Sequence, residues 1–163
     1  GKPMGNGIPI SGLAAKEDVL AAFSDKLPYF NTFGGNPVSI AAAQAVLKYI
    51  KDENLQEHCK KAGAALLKAL KEVQERHPES VGDVRGAGLF LGFEFVKNDG
   101  NKTPDKDMAL NVIEMLRDEH ILTSVIGHYG NILKLRPPMV FSENDIDWFA
   151  TSLDKCITKL ENK

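Results

Sequence analysis

Apolar residues recur along this chain with two periods, and the change between them comes near the middle. Leu55, Cys59, Ala62, Leu66, Leu70 and Val73 follow one another at steps of three and four. That spacing predicts one face of a long amphipathic helix, which His77-Pro78 ends. From Val84 to Val96 the pattern reads as strand, with Gly86 and Gly88 marking a turn or bulge. Lys97 to Lys102 is a polar turn. Thr103-Pro104 predicts an N-cap and first-turn proline, and Ala109, Val112, Ile113 and Leu116 form the stripe of the next helix. Two short strands, 121–125 and 132–135, are joined by His128-Tyr129-Gly130-Asn131. Ser142-Glu143-Asn144-Asp145 resembles a capping box, opening a last helix with Ile146, Phe149, Leu153, Ile157 and Leu160 on one side.

Before Leu55 the pattern is less regular. Residues 8–15 are small and apolar and predict a short buried strand or a close-packed turn. Residues 16–23 predict a short helix. A loop rich in glycine, asparagine and aromatics runs from Pro28 to Pro37, where Asn36-Pro37 predicts an N-cap and a proline at the first helical position. The helix behind it carries Ala41, Ala42, Ala43 and Ala45, which predicts burial against a neighbour, and it breaks near Asp52. The chain thus divides into residues 1–52, part of a larger packed layer, a connecting helix over 53–76, and a small α+β domain over 77–163.

Composition narrows the function classes. With 163 residues, 43% apolar and 26% charged, the chain fits a soluble globular protein. A net charge of -2 gives no case for nucleic acid or an anionic membrane, and no apolar run approaches the roughly 20 residues of a membrane span. Cys59 and Cys156, far apart in helical stretches, read as reduced residues of a cytoplasmic protein. The four histidines and two cysteines show no metal-ligand spacing.

Three local patterns carry chemistry. Gly1-Lys2-Pro3-Met4-Gly5-Asn6-Gly7 sets a lysine among small residues that let a ligand approach; a desolvated lysine loses its proton and can form a Schiff base. Phe30-Asn31-Thr32-Phe33-Gly34-Gly35-Asn36-Pro37 has the logic of a phosphate site: a hydroxyl donor, accessible backbone N–H groups and a helix N-terminus. It reads equally as a tight turn before a helix. Leu133-Lys134-Leu135-Arg136-Pro137-Pro138-Met139 places two cations at a strand end. Arg85 reads as structural, and His128 and Tyr129 as residues of a surface turn.

In this order the three patterns resemble the class III (subgroup II) aminotransferases, which are fold-type I enzymes using pyridoxal 5'-phosphate. The resemblance implies an α/β fold, the C-terminal portion of such an enzyme, with part of the large domain and a small C-terminal α+β domain. It implies that Lys2 is the Schiff-base lysine. It implies that Thr32, helped by the Phe33 backbone, binds the cofactor phosphate in the partner's site of a homodimer. Glu53-Asn54-Leu55 with Gly63, and Val84-Arg85-Gly86-Ala87-Gly88-Leu89, fit the family's linking helix and C-terminal domain. Many members carry arginine where Lys134 stands, to grip a substrate carboxylate through a bidentate pair that lysine cannot imitate. Arg136, two residues on, would lie on the same strand face about 6–7 Å further along. The implied activity is amino transfer between a small amine or amino acid and a keto acid or aldehyde, with Lys134 and Arg136 as substrate contacts. A second expectation is phosphate elimination, since the phospho-lyases acting on O-phosphoethanolamine and 5-phosphohydroxylysine look like this chain at Gly1 to Gly7, at Tyr29-Phe30-Asn31-Thr32 and at Leu133-Lys134, while alanine–glyoxylate-type aminotransferases share Phe30 to Pro37 as well. A third is a non-catalytic dimerisation module. The family's aspartate on the pyridine nitrogen and its ring-stacking aromatic precede the lysine, so the chain is expected to be a fragment that is inactive and binds the cofactor weakly by itself.

Overall fold

The computed structural model describes residues 3–162 and separates them into two units, divided between Asn54 and Leu55. In the first unit, helix α1 spans Glu17–Ser24 and helix α2 spans Pro37–Asp52. The start of α2 is the one the sequence predicts. Asn36 caps it by accepting from the N–H groups of Val38 and Ser39, and Pro37 occupies the first turn, where a missing N–H costs nothing. Two expectations fail. Residues 8–15 form no strand and are exposed apart from half-buried Ile10. Of the alanines of α2, Ala43 is buried while Ala41 and Ala45 are exposed. The physical reason is the same in both cases. Among the described residues this unit contains two helices and no sheet, so it offers its own small residues no layer to pack into.

The second unit has a core of its own. Helix α3, Leu55–Arg76, turns Leu66, Leu70 and Val73 inward, each at most 1% exposed. Strands β1 (Val81–Ala87), β2 (Phe90–Phe95), β3 (Ser124–Ile126) and β4 (Ile132–Leu135) form one antiparallel sheet in the order β1-β2-β4-β3. The turn or bulge expected at Gly86 and Gly88 within the 84–96 strand run is the turn of a β1–β2 hairpin. Gly88, at φ 53°, makes the turn a side chain would strain. Alternation on β2 and β4 sends Leu91, Phe93, Phe95, Leu133 and Leu135 to the covered face. Helices α3 and α4 (Lys106–Asp118) lie on that face, and α5 (Glu143–Glu161) packs across both.

Helix α4 begins two residues later than expected. Pro104 forms a β-bridge with Val96, the Asp105 N–H donates to the Phe95 carbonyl at 3.1 Å, and the Asp105 side chain caps the helix by accepting from the Met108 N–H. A strand-like tether thus outcompetes the cap signal of Thr103-Pro104. At α5 the capping box forms as predicted, with Ser142 and Asp145 exchanging hydrogen bonds.

Candidate functional site

Lys2, the expected Schiff-base lysine, lies outside the described residues. The other expected site residues fall into two groups, one in each unit.

In the first unit, Thr32 and Phe33 sit in the turn that precedes α2, and both are exposed. The turn is organised by Asn31. Its Oδ1 accepts from the N–H of Phe33 at 3.1 Å and of Gly34 at 3.0 Å. The N–H groups expected to be accessible therefore already have an acceptor inside the turn. Asparagine bonding to backbone two and three residues on is a local device of turns, and Asn-x-x-Gly was its readable signal. The turn borders a depression of about 740 Å³, with Asn31, Phe33, Gly34 and Asn36 among its walls. The donor set suits a phosphate. Two N–H groups converge on one oxygen, and the Thr32 hydroxyl lies exposed in the same turn. A phosphate oxygen at the Phe33 amide would take the place of Asn31 Oδ1.

In the second unit, Lys134 is half-buried on β4 and Arg136 is exposed just past its end. Both line a cleft of about 510 Å³, together with Thr123, Ser124, Phe141 and Trp148. Lys134 stands between Gly92 of β2 and Ser124 of β3 in the sheet register. Gly92 faces Arg85 of β1 in turn, so one row across the sheet reads Arg85, Gly92, Lys134, Ser124. The two cations of that row differ. Arg85 Nη1 lies 2.6 Å from both Asp83 and Glu94, and these carboxylates, Glu94 first, hold its pKa above the ordinary value. That matches its structural reading. Among the described residues no carboxylate pairs with Lys134 or Arg136, so their charge is available to an anionic ligand.

Sequence reading missed the contacts that hold this strand end. The Thr123 hydroxyl donates to the Lys134 carbonyl at 3.3 Å. His58 Nε2 lies 3.0 Å from the Phe141 carbonyl, and Cys59 Sγ lies 3.8 Å from the Met139 carbonyl. No local signal announces these, because the last two join residues 80 or more positions apart. His128 and Tyr129 pack edge to face in an exposed turn, as expected. Among the described residues, no cluster of three or more His, Cys, Asp or Glu is placed to hold a metal ion, and no helix is long and apolar enough to cross a membrane.

Comparison with known proteins shows the family. Residues 1–157 match the family model of class-III aminotransferases. The ethanolamine-phosphate phospho-lyase homolog 1 of Caenorhabditis elegans is 45% identical over 159 residues, covering 97% of this chain and 34% of the relative. An alanine–glyoxylate aminotransferase 2-like protein of Drosophila melanogaster is 40% identical, covering 96% of this chain and 32% of the relative. Among solved structures, a phospholyase from Arthrobacter in complex with phosphoethanolamine superposes with a TM-score of 0.92 at 38% identity, over 97% of this chain and 37% of that one. These are pyridoxal-phosphate-dependent enzymes of mixed helix and sheet, and this chain matches about a third of each. It belongs to the class-III aminotransferases.

Proposed function

We propose that this chain supplies the C-terminal part of a pyridoxal-phosphate-dependent enzyme that eliminates phosphate from O-phosphoethanolamine-like amines. The observation that carries this reading is Lys134: a half-buried cation without a carboxylate partner among the described residues, standing where a bidentate arginine would grip a carboxylate. An ammonium suits a phosphate monoester as a point charge and does not need planar geometry. Lys134 and Arg136 would hold the phosphate end of the substrate. Lys2 would hold the cofactor aldehyde when no substrate is bound and, once released, accept the proton from the carbon next to the substrate nitrogen at Nζ. The electron pair left on that carbon would then form a carbon–carbon double bond as the neighbouring carbon–oxygen bond breaks, its electrons leaving with the phosphate. Pyridoxal phosphate, when bound, supplies the electron sink for that carbanion.

Thr32 would donate its hydroxyl to the cofactor phosphate of the partner's site in a homodimer. The exposed apolar side chains around it support this, with Phe30 at 86% and Phe33 at 84% exposure. Such rings rarely face water unless another surface covers them.

The Drosophila relative favours a second reading, amino transfer between an amine or amino acid and a keto acid or aldehyde. The test uses the full-length protein with O-phosphoethanolamine, and separately with an amino acid plus a keto acid. Phosphate release that disappears in Lys2→Ala, with loss of the visible absorbance of lysine-bound cofactor, is the expected outcome. Amino transfer without phosphate release would replace it with the second reading. Neither activity, with no absorbance change on adding cofactor, would leave a dimerisation module. Mixing Lys2→Ala with Thr32→Ala subunits tests the shared site, because one of the two sites in each mixed dimer regains both residues.

A further inference from the structure

We propose that His58 is a positioning residue for the anion-holding strand end: from the first turns of α3 it fixes the loop after Arg136, and thereby where Lys134 and Arg136 present their charges. The inference rests on the reading that these two cations hold the substrate's anionic group.

The sheet cannot do this positioning alone. Strand β4 ends at Leu135, and Pro137 and Pro138 have no N–H with which to continue the ladder. The chain instead turns at once, the Phe141 N–H donating to the Pro138 carbonyl at 3.0 Å. Two carbonyls of this loop meet α3. The Met139 carbonyl faces Cys59 Sγ at 3.8 Å, a weak contact, and the Phe141 carbonyl faces His58 Nε2 at 3.0 Å. A carbonyl can only accept, so His58 carries hydrogen on Nε2 and donates. His58 is half-buried, which strengthens that bond relative to one in open water.

The helix is itself fixed at this height. A Cβ on Gly63 would lie 2.1 Å from the Gly88 carbonyl oxygen, so α3 is in backbone contact with the β1–β2 turn. On the other side, Thr123 holds the Lys134 carbonyl. The two cations are thus borne on a short segment strapped to β3 at one end and to α3 at the other. Releasing the α3 strap leaves the charges in place but their position loose, and misplacement of about 1 Å is enough to cost a large part of binding.

The experiment uses the full-length enzyme and two measurements, the Kd of inorganic phosphate and the kinetics with O-phosphoethanolamine. His58→Ala should raise both Kd and KM about tenfold while kcat stays within about threefold. His58→Gln should restore both, because its amide nitrogen reaches the position of Nε2. His58→Asn, which is polar but too short, should behave like His58→Ala and serves if the alanine variant does not fold. Equal rises in Kd for inorganic phosphate and for an amine without an anionic group, the latter followed by the cofactor absorbance, would overturn the proposal, since a merely structural role predicts them. An unchanged Kd in the His58 variants beside a weakened Lys134→Ala would overturn it too, leaving the role of Lys134 intact. An unchanged Kd in Lys134→Ala and Arg136→Ala would overturn that role and the proposal with it.

Discussion

His77 is buried where α3 ends, with Nδ1 2.7 Å from Glu161 and Nε2 3.2 Å from Asp154. Arg76 reaches the same Asp154 oxygen at 2.6 Å, and the Ser80 hydroxyl donates to Glu161 at 2.6 Å. Single side chains thus tie the last turn of α3 to α5, although the sequence marks His77-Pro78 only as a helix stop. Asn131 does similar work in the sheet. It is 1% exposed, accepts the Phe95 N–H at its backbone carbonyl and donates its side-chain amide back to the Phe95 carbonyl, extending the β2–β4 ladder by one side chain. At Ser142 and Asp145 the local reading was complete, and it makes a pH prediction. The Ser142 hydroxyl, then its N–H, donate to the Asp145 carboxylate and hold its pKa below the ordinary carboxylate value. A lowered folded-state pKa means stabilisation that is present above the unfolded value, near pH 4, and is lost as pH falls through the folded value. Asp145→Asn should therefore flatten that acid-side loss, measured as urea midpoint against pH. Ser142→Ala should cost about 1 kcal/mol at neutral pH as a lost cap. An unchanged acid limb in Asp145→Asn would contradict the assignment.

Among the elements, helices were more legible than strands. Asn36-Pro37, the 55–73 stripe and Ser142 act through neighbours within one or two turns, so their signals are local. Gly86 and Gly88 mark a turn or bulge in the 84–96 run without choosing between the two, and only the pairing of Ala87 with Phe90 fixes a hairpin turn there. The start of α4 moved because Asp105 is held by Phe95 of β2, which no window around Thr103 contains. In a helix interior, replacing glycine by alanine gains about 1 kcal/mol of propensity. At Gly63 the new Cβ would meet the backbone of Gly88 at 2.1 Å, and backbone cannot rotate away. Overpacking of this kind costs about 1–3 kcal/mol or more, so Gly63→Ala should be net destabilising. A thermal melt of Gly63→Ala at or above the wild-type midpoint would show that α3 and the hairpin turn can separate freely.

Taken whole, the molecule is built unevenly. Apart from Ala43, every buried apolar side chain among the described residues belongs to the second unit. Phe93 and Phe95 are fully buried and pack edge to face at 5.3 Å, a geometry that adds about 0.5–1.5 kcal/mol beyond area burial. Residues 55–163 expressed alone should therefore unfold in urea in a single cooperative transition followed by circular dichroism. A broad, sloping transition would mean that this core depends on residues 3–54. The first unit instead carries exposed apolar side chains from Met4 to Tyr49, as expected of a surface covered by further protein. By itself the sequence determined the period of α3, α4 and α5, the helix caps at Asn36 and Ser142, the family and the residue types able to do its chemistry, because all of these are written in spacings of a few residues. Only the tertiary structure decided that Arg85 meets Glu94 while, among the described residues, Lys134 meets no carboxylate, and that His58 meets the Phe141 carbonyl in the loop beyond Arg136. Lone pairs, carboxylates and carbonyls are shared out by whichever groups the packed backbone brings within about 3 Å, and residues 83 positions apart leave no periodic trace of that meeting in the chain.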